Sequence, residues 1–246
     1  MEWDIGRFGF NHDMSGFRFI QVAKSFRPSD VPGLIGWYDA SQANTITLNG
    51  NEITRIANRV ETGQPIEALA FGGPDYVPNH AVANGMPAVV WPYTDNKKGL
   101  GLGVDASVKH LFVVAAYKNG VENRFSQYNT IYTALAGITW FSPTRVMGTL
   151  NASSIFNQAE FGVLASVNDG PLTNATTILP LPLSVLHFSQ STQFDVSAFG
   201  SNNGSNDNNR AWQGCVCEVL AFSGDIQSSE VQEIKDYLYH KWGIQP

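Results

Sequence analysis

The pattern of apolar and polar positions is clearest at the end of the chain. From Trp212 to Phe222 apolar and small residues run almost without a break, Val216, Val219, Leu220 and Phe222 among them, which is the pattern of a strand buried on both faces. Only Glu218 interrupts it. Ser223-Gly224-Asp225 carries turn chemistry, and Ser228 or Ser229 is placed to cap a helix, Ser229 with Gln232 making a capping box. Val231, Ile234, Leu238 and Trp242 follow at spacings of three and four, so they form one apolar stripe, while Glu230, Glu233, Lys235 and Asp236 fall elsewhere on the helix surface. Gly243 stops the helix. Burying the four stripe residues contributes roughly 1.5–3 kcal/mol each, so the helix must dock on the body of the protein.

The same reading upstream gives short strands and turns. Ile46-Thr47-Leu48 and Ile53-Thr54-Arg55-Ile56 flank Asn49-Gly50, a pair that tolerates positive φ and predicts a tight hairpin. Asn84 to Trp91 reads as a turn followed by a strand, and His110 to Tyr117 as a central strand, with a polar loop tip at Asp95 to Gly99 between them. Gly137 to Trp140, Phe161 to Ala165 and Leu183 to Phe188 add further strands at the spacing of a β-sandwich. Gly200 to Asn209, GSNNGSNDNN, has no apolar side chain to bury and predicts an exposed loop. Neither a 20- to 50-residue repeat nor a heptad run is visible.

Composition supports an all-β reading. The 246 residues include 43% hydrophobic and only 15% charged positions, with 23 Gly and 12 Pro, which favours one large β-structure with many turns. A net charge of -6 gives no broad attraction for phosphates or anionic lipid, so neither nucleic acid nor a membrane is expected as a partner. The opening MEWDIGRFGF has no apolar run and is not expected to be a signal peptide, and no segment approaches the ~20 apolar residues of a membrane span. Cys215 and Cys217 alternate on a predicted strand, a poor geometry for a disulfide, and are expected as buried free thiols, as in a protein assembled in a reducing cytoplasm. Residues 1–30 form a separate arm in which Trp3, Phe8, Phe10, Phe17 and Phe19 interleave with basic residues. So many aromatic residues must pack on the domain, residues 31–246, or on another subunit, and they are the candidate assembly residues.

Several of these stretches resemble one family. A last strand carrying Gly214 and Glu218, followed by a short helix with Tyr237, Leu238, Lys241, Trp242 and Gly243, resembles the C-terminal end of laminin-G-like, concanavalin A-type jelly-roll domains. Leu34-Ile35-Gly36-Trp37-Tyr38-Asp39-Ala40-Ser41 is similar to their opening, and Ile56-Ala57-Asn58 departs from the Trp-x-Asp that relatives often carry after the first hairpin. The resemblance implies an antiparallel two-sheet jelly-roll sandwich with a short C-terminal α-helix. Domains of this kind serve as lectins, adhesion modules, enzyme appendages and phage virion proteins, so the resemblance speaks to fold before function.

Candidate chemistry is sparse. The Glu-x-Asp-x-x-Glu strand of the related glycoside hydrolases is absent, no nucleophile, phosphate-loop or zinc motif occurs, and His12, His80, His110, His187 and His240 are scattered. No enzyme is expected. No cofactor is expected either, except a calcium ion, which laminin-G-like domains often hold and for which Asp39, Asp207 and Asn208 are the candidate ligands. For a host glycan, Trp91, Tyr93 and Trp140 would be the aromatic platform and Asn203 and Asn206 the hydrogen-bonding groups. The resulting expectation is a non-enzymatic tailed-phage virion protein, a capsid decoration, tail or small fibre component, with other virion proteins or further copies of itself as partners. The competing expectation is a carbohydrate-binding or adhesion module of a bacterial surface protein.

Overall fold

Residues 26–91, 98–117, 132–133, 164–171, 181–200, 212 and 214–246 are described by the computed structural model of the chain. They form β1 (Leu34–Asp39), β2 (Ile46–Asn49), β3 (Glu52–Ile56), β4 (Ile66–Ala68), β5 (Asp75–Val77), β6 (Ala88–Val90), β7 (Leu100–Tyr117), β8 (Tyr132–Thr133), β9 (Leu164–Val167), β10 (Gly170–Pro171), β11 (Ser184–Phe199), β12 (Gly214–Phe222) and the helix α1 (Ser228–Trp242). The expected all-β class with one C-terminal helix is what forms. The predicted strand at Gly137 to Trp140 lies outside the described residues.

The strands do not separate into two hydrogen-bonded sheets. They make one antiparallel sheet in which β12, β6, β5, β3, β4 and β7 follow one another and the β7–β12 ladder closes the ring, with β11 and β9 continuing outward from β7. Closure is possible because β7 is 18 residues long. Its first residues pair with β4 and its last with β12, while β11 runs beside it throughout, with register shifts between Ser189 and Phe194 and between Val196 and Ala198 where the ribbon bends. A ring this small is filled by side chains. Ile53, Ile56, Ile66, Val89, Trp91 and Leu100 are all buried within the core.

β12 is the centre of the molecule. All nine of its residues are buried, as its unbroken apolar run requires. One edge pairs with β7 along its whole length, and the other is shared by β6 at Cys215 and Val216 and by β1 from Glu218 to Phe222. The predicted hairpin forms between β2 and β3, but Asn49 pairs with Glu52, so the turn residues are Gly50 and Asn51, and Gly50 takes the positive φ of 64°. The glycine-first two-residue turn fits the twist of the strands as well as the Asn-Gly turn would. Lys98, placed by the sequence in a polar loop tip, instead pairs with Glu52 at 3.0 Å across the end of the ring.

Helix α1 docks through its stripe, with Ile234, Leu238 and Trp242 buried and Val231 half-buried. Its cap differs from expectation. Gln227 is the N-cap residue, and its backbone N–H donates to Glu230 Oε2 at 2.7 Å, so the reciprocal partner is Glu230 and neither serine caps. Gln232 is left to bond Asp236 one turn on. Lys235 is also not on the free surface. It is buried, and its Nζ donates to the carbonyl of Asn168 at 2.6 Å in the two-residue turn between β9 and β10, where Tyr239 also bonds Asp169. At the other end Gly243 adopts the left-handed φ of 63°, which a β-carbon would strain. The Asn84 amide, from the turn before β6, donates to the Trp242 carbonyl at 2.7 Å and supplies one orphan acceptor of the last turn.

The decisive contact lies between the stripe and β12. Glu218 is 1% exposed and accepts from four donors: Trp37 Nε1 at 2.7 Å, Tyr237 Oη at 3.0 Å, Trp242 Nε1 at 2.7 Å and Lys241 Nζ at 2.7 Å. Lys241 also reaches Asp39 Oδ2 at 2.7 Å, and Arg59 meets the same oxygen at 2.6 Å while stacking 3.6 Å from the centre of the Trp37 ring. Two carboxylates are thus matched by two cations. Burial, with Asp39 nearby, pushes the Glu218 carboxyl above its usual range against the pull of Lys241.

Phe26 to Asp30, the end of the predicted arm, belongs to the folded body: Pro28 is buried and the Phe26 ring lies 6.2 Å from that of Tyr237 on α1. Trp3, Phe8, Phe10, Phe17 and Phe19 lie outside the described residues.

Removing Lys241 would leave two buried carboxylates facing each other, so Lys241→Met should destabilise the fold by about 3–5 kcal/mol in denaturant melts. Combining it with Glu218→Gln should recover part of the loss, with a coupling of about 1–3 kcal/mol. Strict additivity of the two changes would show that the buried pair does not act as a unit.

Candidate functional site

Strand alternation gives β1 two different jobs. Trp37 and Asp39 face the Glu218 cluster, so Gly36 and Tyr38 point the opposite way. There, with the Thr62-Gly63-Gln64 turn, β7, β11 and Ala221 of β12, they enclose an open cleft of about 260 Å³. Its floor is apolar and buried, from Tyr38, Val108, Val196, Phe199 and Ala221. Its rim is polar and exposed, from Thr62, Gln64, Asp105 and Ser107. An apolar floor with a few converging polar groups is the general form of a small-molecule site.

The walls are fixed by specific contacts. Asn58 Oδ1 accepts from the backbone N–H groups of Trp37 and Val60, and its Nδ2 donates to the Ile35 carbonyl at 2.9 Å, tying β1 to the turn. A carboxylate could accept those bonds but not make the donation, which gives a physical reason for the amide at the position where the resemblance leads one to expect Asp. Gly63 passes so close to Asn58 that an added β-carbon would fall 1.9 Å from Nδ2. Tyr38 Oη donates to the Gln64 carbonyl at 2.8 Å, and Gln64 Oε1 accepts from Val104 N at 3.1 Å, which joins the turn to β7. Burial pushes the Tyr38 hydroxyl far above its ordinary value, so it stays protonated.

Asp105 is the chemically conspicuous rim residue. Burial and the nearby Asp195 push its carboxyl above the usual range, and Asp195 itself accepts a 2.5 Å hydrogen bond from Ser107, its cross-strand neighbour. Among the described residues, no donor sits on the Asp105 carboxylate, and no Lys, Arg or His lines the cleft.

The residues picked out from sequence are elsewhere. Trp91 is 1% exposed, its Nε1 donates to the Lys98 carbonyl, and a β-carbon on Gly200 would fall 2.2 Å from its ring. Its faces are closed, so it is a core residue and not a glycan platform. Asp39 is fully buried and engaged by Arg59, Lys241 and Ser41, two cations and a hydroxyl, the reverse of the all-oxygen surroundings that calcium takes. Tyr93, Trp140, Asn203, Asn206, Asp207 and Asn208 lie outside the described residues. Among the described residues no group of three or more His, Cys, Asp and Glu gathers as a metal site, and no helix is long and apolar enough to cross a membrane.

Two further titratable pairs belong to the scaffold. Cys215 and Cys217 are buried free thiols, as the strand pattern predicted. The hydrogen bond between them, with burial, pushes the Cys217 thiol up. His110 and His187, far apart in sequence, meet ring to ring with Nδ1 and Nε2 3.1 Å apart, and His187 lies flat on Phe112 at 4.1 Å. Burial above all, then His110 and Lys235, lowers His187 to about 3.

Compared with known proteins, the chain matches no family model, no curated protein and no solved structure.

The histidine pair sets a pH dependence. His187 is held below its unfolded value of 6.5, so as pH falls the unfolded chain takes up the proton first and stability is lost between about 6.5 and 3. The slope approaches about 1.4 kcal/mol per pH unit for this one proton. His187→Phe, which keeps a flat ring on Phe112, should remove that loss, so the wild type should weaken relative to the variant on acidification. Parallel melting curves for the two proteins from about pH 7 to about pH 4 would show that His187 does not carry the proton linkage.

Proposed function

We propose that the chain is a non-enzymatic structural protein of a tailed-phage virion, a capsid decoration, tail or small fibre component, that displays a lectin-like domain of jelly-roll ancestry to host surface glycans. The observation that carries this reading is the open cleft between β1, the Thr62–Gln64 turn, β7 and β11, of a size for a sugar ring and polar only at its rim. The charged residues that the family resemblance singled out support it by their employment. Glu218 has both oxygens occupied by donors from β1 and α1, which leaves no free face for a substrate. Asp39 is held in the same way. Their chemistry is spent on docking the helix, and the cleft is what remains to be offered outward.

The arm enters this proposal as the assembly element. Because Phe26 already packs on Tyr237 of α1, the arm to be tested is residues 1–25. A chain starting at residue 26 should melt within a few degrees of the full protein and fail to join the particle. Unfolding on that truncation would make the arm part of the core and end its role as an anchor. Location tests the rest. Antibody to the chain should label intact particles from the organism that carries the gene, with capsid and tail genes alongside. Label on the surface of uninfected cells would favour an adhesion module of the cell itself and sink the virion reading.

A further inference from the structure

The cleft opens where β7 lacks a neighbour. On that edge β7 pairs with β4 as far as Leu102 and with β12 from His110 onward, and among the described residues no strand pairs with it in between. Asp105, Ala106, Ser107 and Val108 all line the cleft. Side chains of consecutive residues leave a strand on opposite faces, so one face cannot present four in a row, whereas an edge can. The direction of the peptide groups follows from the ladders. The Ala40 N–H donates to the Cys217 carbonyl, so Cys217, Val219 and Ala221 turn their peptide groups toward β1, and Glu218, Leu220 and Phe222 turn theirs toward β7. His110, opposite Phe222, therefore faces β12, and at steps of two Val108 and Ala106 face the same edge, beyond the end of β12. Val104 is in step with them, and its N–H crosses to Gln64 Oε1 at 3.1 Å. Among the described residues nothing bonds the edge-facing N–H and C=O groups of Ala106 and Val108, although Val108 is buried and Ala106 half-buried. Such groups need a partner that the chain itself does not supply.

We infer that the cleft takes an N-acetylated sugar by its acetamido group, whose carbonyl accepts from the Ala106 N–H while its methyl rests on the apolar floor. This rests on the reading of the cleft as a saccharide site. Gln64 shows the mode, because its side-chain amide already accepts from Val104, the next open position along the same edge. An amide is the group that an open strand edge is built to meet, since it carries a donor and an acceptor of the backbone's own kind. β4 and β12 close the gap at its two ends, so a peptide strand running through is blocked and a compact amide is not. Ala106, Val108, Val196 and Phe199 place an apolar surface beside the edge for the methyl. The walls are stiff, because Tyr38 is bonded to the Gln64 carbonyl and Gln64 to β7, so little ordering is left to be done on binding.

The test is calorimetric titration of the full chain, at physiological ionic strength, with three probes of matched length: an N-acetylglucosamine oligosaccharide, its deacetylated glucosamine counterpart and a neutral gluco-oligosaccharide. The acetylated probe should bind about tenfold more tightly than either of the others, or better, the worth of one net hydrogen bond and a buried methyl together. Backbone amide NMR of the labelled protein locates the contact: the Ala106 resonance should move on adding the acetylated probe, as its N–H gains an acceptor. Ala106→Leu, whose longer side chain fills the floor beside the edge, should abolish binding. Equal affinity for the three probes, an Ala106 amide that stays in place when the acetylated probe binds, or undiminished binding by a folded Ala106→Leu variant overturns the acetamido mode while leaving a saccharide site in place. Failure of all three probes to bind overturns the saccharide reading and this inference with it.

Discussion

A carboxylate in the middle of a buried strand is the constraint around which the molecule is arranged. Glu218 interrupts a stretch with no solvent on either face, and an ion there costs several kcal/mol unless its lone pairs are met. The fold meets them from two elements. β1 brings the Trp37 indole, and α1 brings Tyr237, Lys241 and the Trp242 indole. The second carboxylate, Asp39, shares Lys241 and takes Arg59. An apolar residue at 218 would let the helix slide on a greasy surface. A charged one with directional donors fixes both its height and its rotation, which is a gain in uniqueness more than in net stability.

The cleft follows from the same strand. Side chains on β1 alternate, so fixing Trp37 and Asp39 on the helix side fixes Gly36 and Tyr38 on the other. Gly36 also keeps the wall thin: a β-carbon there would fall 3.1 Å from Ala221 Cβ and 3.3 Å from the Tyr38 ring. The Asn58 amide then clamps the following turn onto β1 through both its acceptor and its donor. Buried ionic lock and open cleft are two faces of one ribbon. A change that loosens the helix therefore reaches the cleft through six residues of backbone and needs no long pathway.

What could be read in the sequence was local. The unbroken apolar run of β12 and the three- and four-residue stripe of α1 are each complete within one window, and both form as expected. Readings that depended on a distant partner went astray. Lys235 looked like a surface charge because its acceptor, the Asn168 carbonyl, is 67 residues away. The helix starts at a Gln because Glu230 reaches back to a backbone N–H, a bond that serine preference does not foresee. Trp91 reads as a platform from its neighbours in sequence, but Gly200, more than a hundred residues on, lies against its ring. Closure of the ring rests on the three-residue strands β4, β5 and β6, too short to show a period. The cleft was the least legible feature, since its lining comes from β1, a turn, β7, β11 and β12. Only Asp105, a lone acid in the small and apolar run Gly101 to Val108, hinted at it.

Burial explains why two carboxylate pairs among the described residues differ in the partners they are given. Asp39 and Glu218 are shut away, where an unmatched charge is ruinous, and each has been given a full complement of donors. Asp105 is exposed and Asp195 half-buried, where water offsets much of the cost of a charge, so among the described residues Asp105 needs no donor of its own. The physical rule that demands donors around the buried Glu218 makes no such demand of an exposed acid such as Asp105.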